Sequence, residues 1–436
     1  MHYCPYFCYQ FNYNGLAIFF YNIFLWLFQA GVHIASFSNQ KANKWVKGRK
    51  NIFSRLEQAI PVNEKIIWMH CASLGEFEQG RPLLEKIKRQ YPAYKILLTF
   101  FSPSGYEIQK NYQGVDWVFY LPMDGPNNAR RFLEIVHPSL VIFIKYELWH
   151  YYLKKIKYRK IPLLLVSALF RKDMPFFKWY GGILRKMLSR FDQIFVQTKE
   201  SKELMNSIGL SHICTVSGDT RFDRVIEIAE KFEPIPGISE FIGNNKAIIA
   251  GSTWPEDEEV LHNAFSAMND PSLSLIIAPH EINENHLEYL TRLFPSAIRF
   301  SSLINSAPSS KVLIIDNVGT LSRLYKYGWL TYIGGGLKTK GLHNVLEAAV
   351  YNKIVLFGPY YHKYIEAVGL VKSGGGLPFV DEKKDGYTLK LLIETLLTNE
   401  DEFEFRSNAS GEFVRSHKGA SEMILHFIHE KRLLTN

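Results

Sequence analysis

Short apolar runs alternate with segments of helical periodicity along most of this chain, and no other feature restricts the possible folds as strongly. The first series of strands is expected at Ile66–Cys71, Ile96–Phe101, Trp117–Leu121, Leu140–Ile144, Leu163–Val166, Ile194–Gln197 and Ile213–Val216. Helical segments such as Arg81–Gln90, Asn127–Val136 and Glu200–Ile208 separate them. A second series, Ala247–Ala250, Leu273–Ala278, Val312–Ile315, Leu330–Ile333 and Ile354–Phe357, alternates with helices near Glu256–Ala267, Glu284–Leu293, Leu321–Tyr327, Asn344–Tyr351 and Lys363–Lys372. Strand and helix in strict alternation predict α/β domains, each a doubly wound parallel sheet. Between the series, Pro234, Pro236 and Gly237 break the periodicity, so a linker is expected over 233–246. The expected organisation is a Rossmann-like domain over 41–232, a second over 247–415, and a closing segment, 416–436, that packs back on the first. Such a pair encloses a cleft between facing carboxyl edges.

A chain of 436 residues exceeds the size at which one core stops growing, in keeping with two domains. Apolar content of 47% and charged content of 21% exclude a disordered or fibrous protein. The formal charge of +9 is concentrated in the first half, in Lys41 to Arg55, Lys154 to Lys160 and Arg171 to Arg190. Such clusters suit an anionic partner, nucleic acid or a phosphate-bearing membrane, or else they are solvated helix faces. The four cysteines, Cys4, Cys8, Cys71 and Cys214, have neither disulfide-framework nor zinc spacing.

Residues 16–28 are intensely apolar, and the run continues less purely to Phe37. With Asn22, Gln29 and His33 inside it, the requirement of roughly 20 apolar residues for a spanning helix is only marginally met. Lys41, Lys44, Lys47, Arg49 and Lys50 follow the run, which fits a membrane anchor over 1–40 with the next domain held in the cytoplasm, and not a cleaved signal. A helix lying in the membrane interface, or packed on the domain itself, fits the same residues.

Polar residues gather where strands end. Trp68 to Glu76 reads Trp-Met-His-Cys-Ala-Ser-Leu-Gly-Glu, an expected strand-to-helix loop. Ser73 and Glu76 have capping-box spacing, and a carboxylate at that edge equally suits a general base; spacing does not separate the two. Gly251-Ser252-Thr253 offers amides and hydroxyls to an anion, with Thr253 as a plain N-cap the alternative. Pro279-His280-Glu281 ends another strand. Gly334-Gly335-Gly336, followed by Lys338, Lys340, His343, Asn344 and Glu347, would let backbone approach a phosphate while Glu347 takes ribose hydroxyls. Thr339 stands where a dinucleotide fingerprint needs its third glycine, and there is no Walker A pattern.

Taken together these stretches resemble the 3-deoxy-D-manno-octulosonic acid (Kdo) transferases of lipopolysaccharide synthesis, inverting glycosyltransferases of the two-Rossmann-domain GT-B type. The matching landmarks are His70-x-x-Ser73-Leu74-Gly75-Glu76, Tyr146-Glu147-Leu148-Trp149, Ser189-Arg190-Phe191-Asp192, Gly218-Asp219-x-x-Phe222-Asp223, Gly251-Ser252-Thr253 with Glu258-Glu259, Gly334-Gly335 with His343-Asn344-x-x-Glu347, and Leu356-Phe357-Gly358-Pro359. The resemblance implies an enzyme on the cytoplasmic face of the inner membrane that transfers Kdo from CMP-Kdo to a lipid A precursor, with no cofactor, metal or nucleic acid. By position it implies Glu76 as base, Ser73, Gly75, Lys145 and Glu147 on the acceptor side, and Ser252, Thr253, Pro279, His280, Gly319, Gly335, Gly336, His343, Asn344 and Glu347 around the nucleotide. Lys145 replaces an acidic residue common in the family, His150 a proline, and the arginine expected beside His280 is absent. Another sugar-nucleotide transferase of this fold or a UDP-sugar epimerase is the alternative. A nucleic-acid binder is a further one, without any RNA-binding sequence pattern to carry it.

Overall fold

A computed structural model describes residues 6–145, 147–305, 310–338, 341–381, 383 and 385–435; Cys4, Tyr146, Thr339 and Lys340, named above, lie outside the described residues. Two compact units are present. The first contains the chain up to Arg224 and again from Gly419 on, and the second runs from Val225 to Lys418.

The first unit begins with helices α1 (Tyr6–Ala35), α2 (Gln40–Arg49) and α3 (Ile52–Ala59). There follow β1 (Ile66–Cys71), α4 (Leu74–Gln90), β2 (Lys95–Phe100), α5 (Pro103–Gln109), β3 (Trp117–Tyr120), α6 (Pro126–Val136), β4 (Pro138–Ile144), α7 (His150–Tyr158), β5 (Leu163–Ala168), α8 (Gly182–Leu188), β6 (Gln193–Val196), α9 (Lys199–Ser207), β7 (Cys214–Val216) and α10 (Thr220–Glu230). The strands form one parallel sheet in the order β3-β2-β1-β4-β5-β6-β7. Because helices cover both faces, β1 is buried throughout. Its alternate residues enter different cores: Ile66 and Trp68 pack with Phe132, Phe143 and Tyr152, while Ile67, Met69 and Cys71 pack with Leu83, Leu84 and Ile142.

The second unit continues with α11 (Ile238–Ile242), β8 (Lys246–Thr253), α12 (Pro255–Met268), β9 (Leu273–Pro279), α13 (Glu284–Leu293), β10 (Ile298–Arg299), β11 (Val312–Ile314), α14 (Leu321–Leu324), β12 (Leu330–Ile333), α15 (Leu346–Ala349), β13 (Ile354–Phe357), α16 (Ile365–Ser373), β14 (Gly376–Pro378), α17 (Tyr387–Thr398) and α18 (Glu400–Ser416). Its sheet is also parallel, in the order β10-β11-β9-β8-β12-β13-β14. The closing helix α19 (Ala420–Glu430) belongs to the first unit, where Ile424 and Ile428 are fully buried and Asp223 accepts the backbone N–H groups of Gly419 and Ser421, each at 2.7 Å.

Three expectations need correction. The chain leaves the first unit between Arg224 and Val225, inside the continuous helix α10, and not at the proline- and glycine-bearing stretch 233–246, which itself contains the short helix α11. Helix α4 starts at Leu74 instead of Arg81, with Gly80 and Pro82 inside it and buried. Pro82 lacks only the N–H that would bond one turn back, and packing of Phe77, Leu83 and Leu84 holds the helix across it. Nor is the expected anchor a separate segment over its described residues: α1 is the longest described helix, Gly15–Ala35 is apolar enough to cross a membrane, yet Leu25 lies in the first unit's core.

Candidate active site

In each sheet the direction of winding reverses between two neighbouring strands, and in open α/β sheets ligands bind beyond the carboxyl ends of the strands at such a reversal. In the first unit those strands are β1 and β4, and the loops are Ala72–Ser73 and Lys145–Trp149. In the second they are β8 and β12, and the loops are those carrying Ser252 and Gly334 to Asn344. Most residues singled out from the sequence sit at these two reversals; Pro279 and His280 end the neighbouring β9, and Gly319 lies between β11 and α14.

Since α4 begins at Leu74, Glu76 occupies its first turn. Its carboxylate turns back to accept the backbone N–H of Ala72 and interacts with that of Ser73, whereas the Ser73 side chain makes no capping bond. Half of the capping box therefore forms. These bonds would ordinarily favour the ionised carboxylate, as does the nearby Lys145 ammonium. Burial first, and the Glu147 carboxylate second, outweigh them and push Glu76 up to about 7 from the ordinary 4.5. Gly75 is exposed, and a methyl group added there would meet nothing. Lys145 follows β4 in the left-handed region at φ 62°, its N–H bonded to the Val166 carbonyl at 2.8 Å.

Glu147 is fixed from below by a buried chain absent from the expected site. The Trp68 indole N–H donates to Thr99 Oγ1 at 2.7 Å, and Thr99 Oγ1 lies 2.8 Å from His70 Nδ1. A carboxylate can only accept, so the His70 Nε2–H donates to Glu147 at 2.5 Å, while Thr99 Oγ1 also donates to the Met69 carbonyl at 3.5 Å. His70 is wholly buried. The hydrogen bond joins positions 77 apart in sequence, so only the pairing of β1 with β4 reveals it.

The second unit's loops are built differently from the expectation. Thr253 is buried and its hydroxyl donates to Glu258 at 2.8 Å, so it braces the loop; helix α12 is capped instead by Asp257, which accepts the Trp254 N–H at 2.9 Å. Asp257 also accepts the Gly335 N–H at 3.0 Å and the Tyr332 hydroxyl at 2.7 Å. That amide is thus not available to a phosphate. The glycines serve close packing of backbone on backbone: a Cβ on Gly334 would strike Ser252 and Thr253, one on Gly335 the Gly341 carbonyl, and one on Gly336 the Gly358 backbone. Gly335, at φ 84°, could hardly be another residue. Lys338 pairs with Glu256, and Asn344 donates to Glu347 at 3.1 Å just before α15.

What this loop cluster presents is a stack of rings. His280, exposed at the end of β9 beyond Pro279, packs against both Trp254 and His343, at 4.7 Å and 4.3 Å between ring centres. The Trp254 indole N–H donates to His343 Nε2 at 3.4 Å. Burial, then His280, lowers His343 to about 4, and burial lowers His280 as well. Both imidazoles are thereby held neutral, with room for an anion to raise them. Ser252 adopts a left-handed backbone, φ 54°, in the same loop, and Gly319 stands at φ 99° in the exposed turn before α14. Trp254, a part of the stack, carried no signal in the sequence beyond following Thr253.

Residues 47–224, which include both loops of the first unit, match the family of 3-deoxy-D-manno-octulosonic-acid transferases, or kdotransferases. A 3-deoxy-D-manno-octulosonic acid transferase of Aquifex aeolicus is 31% identical over 322 residues, covering 72% of this chain and 82% of that protein. The chain belongs to the Kdo transferase family. A Kdo transferase of Haemophilus influenzae is 27% identical over 370 residues, 82% of this chain and 85% of that protein. Membership makes the chain a glycosyltransferase of lipopolysaccharide synthesis, and its two parallel-sheet units are those of the GT-B fold. Two solved structures share that fold: the UDP-GlcNAc 2-epimerase of Neisseria meningitidis (TM-score 0.60, 17% identity, covering 84% of this chain and 100% of that one) and a glycosyltransferase of Rickettsia africae (0.56, 15%, 86% and 100%). The Glu76 loop, Lys145 and Glu147 all fall inside the residues that match the family.

Proposed function

We propose that this Kdo transferase takes Kdo from CMP-Kdo and attaches it, with inversion, to a sugar hydroxyl of a lipid A precursor at the cytoplasmic face of the inner membrane. The observation that carries the reading is a carboxyl group at the first sheet's reversal, hydrogen-bonded in place yet raised to about 7. A base with that affinity is ionised enough to act and basic enough to accept a proton near neutrality. Glu76 takes the proton of the acceptor hydroxyl as its oxygen bonds to the anomeric carbon. The bond from that carbon to the CMP phosphate oxygen breaks on the opposite side, and its electron pair leaves with CMP. A single displacement inverts the centre.

The second unit's ring stack and the loop at Ser252 receive CMP. Approach of its phosphate favours protonation of His280 and His343, both neutral beforehand, so charge is supplied as the leaving group departs. Lys145 and Glu147 meet the phosphorylated acceptor, the lysine in place of the family's usual acid. The test is a transfer assay with CMP-Kdo and lipid IVA, followed by mass analysis of the lipid. Glu76→Ala should abolish the product while CMP still raises the melting temperature of the variant. Protection by UDP and not CMP would overturn the donor assignment, and undiminished transfer by Glu76→Ala would overturn the base.

A further inference from the structure

We propose that α1 lies in the plane of the membrane, fused along one side to the first unit, and does not cross the bilayer. This extends the membrane location proposed above but does not depend on Glu76 or on the donor.

One stripe of α1, Tyr21, Leu25, Phe28 and Val32, packs into the first unit's core, with Leu25 buried. Phe28 meets Trp45 and Phe101, each at 5.8 Å between ring centres. Tyr21 donates to the buried Asp124 at 2.7 Å and accepts the His150 N–H at 3.2 Å, and Asn22 accepts the Tyr151 hydroxyl at 2.8 Å. Asp124 itself accepts the N–H groups of Tyr151 and Tyr152 at the start of α7, at 3.0 and 3.1 Å. At about 1.5 Å per residue the stripe is attached over about 16 Å, half of what a spanning helix needs for a hydrocarbon core about 30 Å thick. Were α1 to cross, Asp124 and the lysine-bearing α2 would be drawn to the same depth, or the whole attachment would break.

The side opposite the stripe is apolar and bare. Leu16, Phe19, Ile23, Trp26, Leu27 and Ile34 project there, the last 72% exposed. Positions 16, 23, 27 and 34 fall on one line at helical spacing, about half a turn from Tyr21 and Leu25. The occupant is an anionic phospholipid leaflet, for two reasons. Lys41, Lys44, Lys47 and Lys50 stand exposed just beyond the helix, where lipid phosphates would neutralise them. Trp179 and Tyr180, 89% and 58% exposed, precede α8, which packs beside α1, and such rings favour the headgroup level.

The experiment uses the full chain with an N-terminal epitope tag in sealed inside-out inner-membrane vesicles. An in-plane helix leaves the tag open to protease without detergent, on the same side as the catalytic units; digestion only after the vesicles are opened would overturn the proposal. The double variant Phe19→Glu and Ile23→Glu should lose at least tenfold in binding to phosphatidylglycerol vesicles, with melting temperature and transfer to detergent-dispersed acceptor unchanged. Retained vesicle binding by that variant would overturn it. So would a wild-type dimer, stable without lipid, that the same substitutions dissociate, since a second copy would then be the occupant.

Discussion

Replacing Glu147 by glutamine isolates one of the two influences that raise Glu76. The amide can still accept the His70 Nε2–H now donated at 2.5 Å, so the shape of the site is retained while the like charge goes. Burial is the larger cause and remains, and Glu147 is the second, so the substitution should lower Glu76 by about one unit, about 1.4 kcal/mol in proton affinity. The base works only when deprotonated, so the acidic limb of kcat/KM, with its midpoint near 7, must move toward lower pH. At pH 5.5 a midpoint of 7 leaves about 3% of Glu76 ionised, and a midpoint of about 6 leaves about 24%. Any loss of acceptor binding lowers activity at every pH alike, so the quantity to measure is the ratio of kcat/KM at pH 5.5 to that at pH 8.5. That ratio should rise about eightfold over wild type. An unmoved limb, or one displaced to higher pH, would refute the electrostatic coupling of the two carboxyl groups.

Glu76→Gln should cost activity but gain stability. A carboxyl whose folded-state value is above its unfolded one binds more protons when folded, so stability falls as pH rises from 4.5 to about 7. The variant escapes that loss, at most about 3.4 kcal/mol for a rise from 4.5 to about 7, and urea unfolding should show the gain at pH 8.5 and little at pH 4.5. Gly336→Ala places a Cβ 2.8 Å from the Gly358 nitrogen, so it should destabilise the second unit by about 1–3 kcal/mol and weaken CMP binding, read by calorimetry. Gly75→Ala, in open space within a helix, should leave thermal stability equal or higher.

The two sheets were legible because parallel strands covered on both faces are written as uninterrupted apolar runs, as Ile66–Cys71 and Leu163–Ala168 are. Ile298–Arg299 and Gly376–Pro378 left no such trace, the first because two residues are too brief for a period and the second because it begins with glycine and ends with proline. Gly75, Gly80 and Pro82 concealed the first two turns of α4, since their propensities are local whereas the contacts that hold them are not. For the site, residue types at strand ends picked out loops at the carboxyl edges of the two sheets, where the reversals of winding also lie. Their hydrogen bonds were not legible. Nothing near Thr253 shows that its hydroxyl turns inward to Glu258, and the triple glycine suits a phosphate cradle as well as the loop-on-loop packing it serves.

The attachment of α1 bears on how such a protein can be handled. Removing residues 1–40 to obtain a soluble enzyme would take away Leu25, whose burial alone is worth about 1.5–3 kcal/mol, and leave Asp124 without its tyrosine. Trp45 and Phe101 would lose the ring of Phe28 that packs against them. The greasy helix is thus a structural part of the catalytic body, and the truncation that cures aggregation through one of its faces exposes a new sticky surface beneath the other. Substituting the outward residues one by one keeps the inner face intact and is the gentler route to a water-soluble form.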